Sequence, residues 1–365
     1  HLQQPWLRVG IAIIVSTLSL AFFLTQGQNF PKVFKLSGAT MGTEYRVVYR
    51  YQSPSSSSPQ NRKSPSYIRQ RITAILQELN QQVSTYIPDS QISQFNRWHS
   101  TEPFVVSFNF FHILQQAKDI FTITGGAFDP TVAPLINLWG FGEASDTELV
   151  LPSDSDITKQ MDSVGFELIT FHEQTMSIQK NKPSVAVNLS SIAKGYGVDL
   201  IARFLDELAI DDYLVEIGGE VRAKGKNAQE QYWQIAIESP NSEWGDVSAS
   251  TVVPLNHQSV ATSGSYRNYF DRDGRRYSHI IEPKSGYPVN HSTVSVTVMA
   301  DECVVADGLA TAFLVLGVEE GLKLADQREL KVLFTQVSRH QDPGVMNKLV
   351  TTPSRHWSAY IAALN

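Results

Sequence analysis

The chain has 365 residues and a formal net charge of −6, with 42% hydrophobic and 18% charged residues, a balance that describes a globular protein with a substantial core, in two lobes or one large domain. The acidic charge, with no Lys/Arg run interleaved with exposed aromatics, argues against a nucleic-acid surface. Cys303 is the only cysteine, which excludes a disulfide framework and a cysteine-based zinc site.

Residues 9–24 carry no charge and follow Trp6 and Arg8; no small-x-small cleavage site comes after them. This is a membrane-entry signal, its length between that of a signal-peptide core and a short spanning helix. Arg8 on the short amino-terminal side leaves that end in the cytoplasm and sends the remainder across. The expected organisation is a retained signal-anchor, residues 1–28, and an extracytoplasmic (periplasmic) soluble body, residues 29–365. Within that body, residues 33–50 read as strand. Residues 52–66 are Ser- and Pro-rich without large apolar side chains, hence a flexible insertion loop. An amphipathic helix follows, its apolar positions Ile68, Ile72, Ile75, Leu76 and Leu79 at helical spacing.

Residues 108–123 are helix-patterned and close at Gly125-Gly126, the residue type that ends helices with positive φ. Residues 185–189 read as a strand that runs through Ser190 and Ser191 into a helix beginning near Ala193-Lys194-Gly195. Small polar residues, Lys and Gly at a helix start form a phosphate seat, because free N–H groups and the helix dipole favour an anion there. The same residues also fit a capped core helix with a snorkelling Lys194. Residues 213–217 and 232–238 alternate as strands around Gly218-Gly219-Glu220, and residues 293–298 resume the period of two. The fold class is α+β with mixed or antiparallel sheets flanked by helices; strict βαβ alternation is absent, which argues against a Rossmann fold.

Residues 305–313 place Asp307 and Thr311 one helical turn apart in an apolar run, so their oxygens share a face. A carboxylate in such a run needs a partner or a cation. Two hard oxygen donors on one face suit Mg²⁺ completed by substrate phosphates; a helix cap at Asp307 with Thr311 back-bonded to a carbonyl is the alternative. As a surface-facing ligand, Asp307 is expected to contribute little to packing.

Taken together, these motifs resemble the ApbE family, the FAD:protein FMN transferases. The resemblance rests on Gly38-Ala39-Thr40-Met41-Gly42-Thr43, Ser84-Thr85-Tyr86, Asp89-Ser90-Gln91-Ile92-Ser93 with Asn96, Gly126-Ala127-Phe128-Asp129-Pro130-Thr131 and Trp139-Gly140-Phe141-Gly142. It continues through Ile192-Ala193-Lys194-Gly195-Tyr196, Ile217-Gly218-Gly219, Ala261-Thr262-Ser263-Gly264, Ser278-His279-Ile280-Ile281 and Ala306-Asp307 to Thr311, in family order over nearly the whole soluble body.

The resemblance implies Mg²⁺-dependent transfer of the FMN portion of FAD to a threonine hydroxyl of a partner protein, releasing AMP. It implies metal contacts at Asp307, Thr311 and a main-chain oxygen of Ser191, and flavin contacts at Met41, Tyr86, Ala127, Phe128, Asp129, Lys194 and Ile281. His279 falls on the catalytic position, and imidazole is the side chain suited to take a hydroxyl proton near neutral pH. Where the family usually carries Asp, this chain has Asn188, which keeps an acceptor, adds a donor and loses the charge: a contact to adenine or ribose survives that change, whereas a role in orienting the metal shell would be weakened by it. The implied acceptors are subunits of Rnf or sodium-pumping NADH:quinone reductase type. Two alternatives share these residues: an FAD pyrophosphatase yielding FMN and AMP, and a non-catalytic flavin-binding surface protein. Ser37-Gly38-Ala39-Thr40 resembles the tail of the acceptor sequence, but Thr40 and Met41 read as one continuous strand that cannot bend toward an in-line approach, so self-modification is not expected.

Overall fold

A computed structural model describes residues 32–51, 64–142, 151–240, 247–265, 269–272, 275–338 and 348–364. Both the expected signal-anchor and residues 52–63 of the insertion loop lie outside them. Among the described residues no helix is long and apolar enough to cross a membrane.

Eight strands form the central sheet: β1 (Lys32–Thr40), β2 (Thr43–Tyr51), β3 (Asp212–Ile217), β4 (Glu220–Lys224), β5 (Gln258–Gly264), β6 (Thr293–Ala300), β7 (Lys331–Ser338) and β8 (Lys348–Pro353). They lie in that order across the sheet, each antiparallel to its neighbours. Smaller antiparallel sheets accompany it, so of the expected mixed or antiparallel arrangement the described strands realise the antiparallel one. The helices that matter to the site are α1 (Pro65–Val83), α2 (Gln91–Arg97), α3 (Phe108–Ile123), α4 (Ala193–Glu207) and α5 (Cys303–Gln327).

Strand alternation sorts side chains between two layers. Tyr45, Val47 and Tyr49 of β2 and Tyr213, Val215 and Ile217 of β3 pack under α1 and α4, against Ile68, Ile72, Leu76 and Ile201. The opposite face, with Val221 and Ala223 of β4, is covered by the hairpin Trp233–Pro240/Val247–Leu255 and by Trp357 of the helix Arg355–Leu364. Further along the helix side, α3 and α5 close over Val296, Val298 and Phe334. Each fully buried side chain of this size contributes about 2 kcal/mol of transfer free energy.

Local sequence sets the helix ends. Ser64, inside the expected loop, caps α1 by accepting from the Tyr67 N–H. The end of α3 matches the sequence reading: Gly125 and Gly126 have φ of 60° and 85°, and the Gly126 N–H returns to the Phe121 carbonyl at 2.9 Å.

Two expectations are corrected. Residues 33–50 are a hairpin, with Met41 (φ 48°) and Gly42 (φ 71°) as the two-residue turn between β1 and β2, so Thr40 and Met41 are not one continuous strand. Residues 185–189 are not a ladder strand. Val185, Val187 and Leu189 are buried in alternation, but the Asn96 amide supplies what a neighbouring strand would, donating to the Val187 carbonyl at 2.9 Å and accepting from the Val187 N–H at 2.8 Å.

Candidate active site

A cavity of about 340 Å³ opens where the amino ends of α4 and α5 meet the ends of β4 and β5 and the loops around Phe128 and His279. Ten of the twelve positions implied by the resemblance line it: Ala127, Phe128, Asp129, Asn188, Ser191, Lys194, His279, Ile281, Asp307 and Thr311.

Asp307 and Thr311 sit one turn apart on α5, as their spacing requires. The expected outward placement of Asp307 is wrong, since the residue is only 4% exposed. The reason is close helix packing. A Cβ on Gly195 would stand 2.4 Å from the Cys303 carbonyl oxygen and 2.8 Å from Asp307 Cβ, so glycine lets α4 come against α5. At that contact the Gly195 N–H donates to Asp307 Oδ2 at 2.9 Å. The amino end of α4, read from sequence as a phosphate seat, thus already spends one of its N–H groups on the protein's own carboxylate. Thr311 reaches across to the sheet: its Oγ1 lies 3.1 Å from Ser263 Oγ of β5.

Charge at this wall is dense. Burial, and then the neighbouring Glu220 carboxylate, push the Asp307 carboxyl well above the usual range, while Lys194 pulls it back. Glu220 opens β4 and is buried, with its Oε2 2.7 Å from Lys194 Nζ. Sequence reasoning passed over Glu220 as part of a glycine turn. Its signal was the alternation Glu220-Val221-Arg222-Ala223, with apolar residues on the hairpin side and charged ones toward α4. Arg222 pairs there with Asp199.

The opposite wall is stitched by main-chain bonds. The Asn188 N–H donates to the Pro130 carbonyl at 2.8 Å, joining the loop of Phe128 and Asp129 to the turn before α4. Asn188 Oδ1 accepts from the Ser190 N–H at 2.9 Å and from the Ser190 hydroxyl, so here the side chain shapes the turn that carries Ser191. An amide performs that acceptor task as well as a carboxylate, which accommodates Asn at this position.

Asp129 accepts from the Thr131 N–H and hydroxyl at 2.9 and 2.6 Å, both on Oδ1. Burial nevertheless pushes its carboxyl up to about 6, with the Thr131 bonds acting against the shift. A carboxyl raised in the folded state gains its proton more readily there than in the unfolded chain. It therefore adds stability as pH falls through about 6 and withdraws it as pH rises, by about 3 kcal/mol at most. Asp129→Asn keeps the Oδ1 acceptor and is expected to be more stable than the parent at pH 8, the advantage shrinking toward pH 5. Urea midpoints of the ligand-free proteins at both pH values measure it; a constant difference would contradict the assignment.

His279 follows the hairpin Tyr269–Arg272/Arg275–Ser278 and is half-buried at the cavity edge. Its backbone neighbours are pinned, the Val289 N–H donating to the Ile280 carbonyl at 2.9 Å, and the Phe141 ring stands edge-on to the imidazole at 6.3 Å. Trp139, whose indole N–H donates to the Gly286 carbonyl at 2.8 Å, stacks behind Tyr277 of the same hairpin.

Met41 and Tyr86 do not line the cavity. Met41 caps the β1–β2 turn and packs on α4 near Gly197, while Tyr86, after α1, is 73% exposed. At Gly218 a Cβ would stand 2.8 Å from the Thr43 methyl and 3.3 Å from Lys194 Cδ, so glycine there lets the β1–β2 turn and the Lys194 stem approach each other. Thr40, 8% exposed at the end of β1, accepts a hydrogen bond from the Asn80 amide at 3.1 Å. Besides Glu220, sequence reasoning did not single out Thr262, Ser263 and Gly264 as lining residues, although they stand in a quoted motif.

A buried carboxylate, hydroxyls, an ammonium and an aromatic side chain in one cleft define a site for a polar ligand with an apolar portion. The comparisons agree with that class. The model of the ApbE family matches residues 41–334. The FAD:protein FMN transferase of Vibrio cholerae serotype O1 is 42% identical over 299 residues, 82% of this chain and 86% of that protein. That of Haemophilus influenzae is 40% identical over 326 residues, 88% of this chain and 91% of that one. Among solved structures, the flavin transferase ApbE from Vibrio cholerae superposes with a TM-score of 0.78 at 36% identity, covering 90% of this chain and 99% of that one. The chain belongs to the ApbE family.

Proposed function

We propose that this protein transfers FMN from FAD to a threonine hydroxyl of an acceptor protein and releases AMP. The observation that carries the reading is the convergence of ten of the positions the resemblance implies, spread over the chain from Ala127 to Thr311, on one cavity, together with relatives named FAD:protein FMN transferase.

The donor set fits Mg²⁺: Asp307 brings a carboxylate in need of positive charge, Thr311 a hydroxyl on the same helical face, and Ser191 a main-chain oxygen. When bound, the ion would offset charge on the phosphates of FAD as the leaving group departs. The chain's own residues do the rest. Lys194 faces the phosphates, and Ala127, Phe128, Asp129, Asn188 and Ile281 form the wall against the dinucleotide. Met41 and Tyr86 receive the flavin ring beyond Gly218, a thioether and an exposed aromatic suited to a flat heterocycle. His279 accepts the proton of the threonine hydroxyl as its oxygen attacks the FMN phosphorus and the pyrophosphate bond to AMP breaks. The test is AMP release from FAD that requires both Mg²⁺ and an acceptor. Release of FMN and AMP without acceptor would make the protein a hydrolase.

The apolar residues 9–24 support a membrane-anchored protein with its catalytic body outside the cytoplasm, facing acceptors such as Rnf or sodium-pumping NADH:quinone reductase subunits. Recovery of the native protein in the soluble fraction would refute the anchor.

A further inference from the structure

We propose that Glu220 is a positioning residue: its buried carboxylate takes up the Lys194 ammonium and so leaves Asp307 open to a divalent cation. This rests on the metal reading given above. Three charged side chains, Asp307, Glu220 and Lys194, line the same cavity. An ammonium that shares a cavity with two carboxylates can pair with either one, and a carboxylate already paired is a poorer ligand, because the cation must first displace the ammonium. The geometry directs the choice. Glu220 is 2% exposed at the first position of β4, on the strand face toward α4, and its Oε2 lies 2.7 Å from Lys194 Nζ. The lysine stem is steered to it over Gly218, where a Cβ would stand 3.3 Å from Lys194 Cδ. Asp307 meanwhile receives a main-chain N–H from Gly195, a neutral donor that orients the carboxylate without cancelling its charge. The charges of both Glu220 and Lys194 are felt at Asp307, in opposite directions.

Burying a carboxylate is costly unless it is paired, and Lys194 supplies the pairing for Glu220. A lysine without Glu220 would still attract the pyrophosphate, but in the absence of FAD it would turn toward Asp307 and compete with the metal. Glu220 therefore separates the two tasks, cation for Asp307 and anion for Lys194.

A double-mutant cycle on the full chain without FAD tests this, reading Mn²⁺ binding by electron paramagnetic resonance. Glu220→Gln is expected to weaken Mn²⁺ binding about tenfold, and to change it less than about threefold when Lys194 is Met. Glu220→Asp keeps the charge but is one methylene shorter and is expected to behave like Gln. An equal loss from Glu220→Gln in both lysine backgrounds, or parental binding by Glu220→Asp, would show that the charge acts directly on the ion and overturn the proposal. A parental protein that binds no Mn²⁺ refutes the metal reading and the proposal with it. The expected coupling in a protein that transfers no FMN upholds Glu220's role and refutes only the transferase reading.

Discussion

Asp307→Asn is expected to abolish FMN transfer, by roughly a thousandfold or more, while leaving the ligand-free protein at least as stable as its parent. The activity side follows from chemistry: an amide oxygen is a neutral, weaker donor to a hard cation, and this is the carboxylate proposed to hold it. The stability side follows from burial. The parental carboxylate is nearly inaccessible and faces a second carboxylate, Glu220, so its ionised form is disfavoured in the absence of a cation. Asparagine retains an oxygen for the Gly195 N–H and removes the repulsion. Loss of activity with gain in stability separates a functional charge from a packing defect, and a urea titration beside an AMP-release assay measures both. Full turnover in the variant would remove Asp307 from the metal site.

Asp199→Ala is expected to cost about 3–5 kcal/mol of stability. Asp199 belongs to α4 but serves as the cap of α5, accepting from the Cys303 N–H at 3.0 Å and the Val304 N–H at 2.8 Å. It also pairs with Arg222 of β4. Alanine would leave a half-buried guanidinium without this partner and orphan the first N–H groups of α5. Because Asp307 lies one turn further along that helix, the variant should also lose cation affinity. Chemical denaturation gives the first effect; a change under 1 kcal/mol would show that neither the cap nor the ion pair matters.

How much of this was legible in the sequence depends on where the information lies. Helix α3 and its glycine stop were readable because periodicity and backbone chirality are local properties. The α5 spacing of Asp307 and Thr311 was readable for the same reason, and it suggested a cation before any partner was in view. The resemblance then placed positions as distant as Phe128 and His279 at one site, and the structure brings them to one cavity. What stayed hidden depends on tertiary contact. The burial of Asp307 follows from an absent side chain at Gly195, more than a hundred residues away. Glu220 looked like the end of a turn until its strand partner fixed which face it occupies. Residues 185–189 had the alternation of a strand, yet one side-chain amide, from Asn96, stands where a ladder partner would.

The central claim is that FMN passes from FAD to a protein threonine. The most direct measurement is the intact mass of an acceptor subunit of Rnf type after incubation with this protein, FAD and Mg²⁺. The expected result is an added FMN mass that maps to one threonine, disappears when that threonine is replaced by alanine, and fails to form with Asp307→Asn. An unmodified acceptor alongside free FMN and AMP would contradict it.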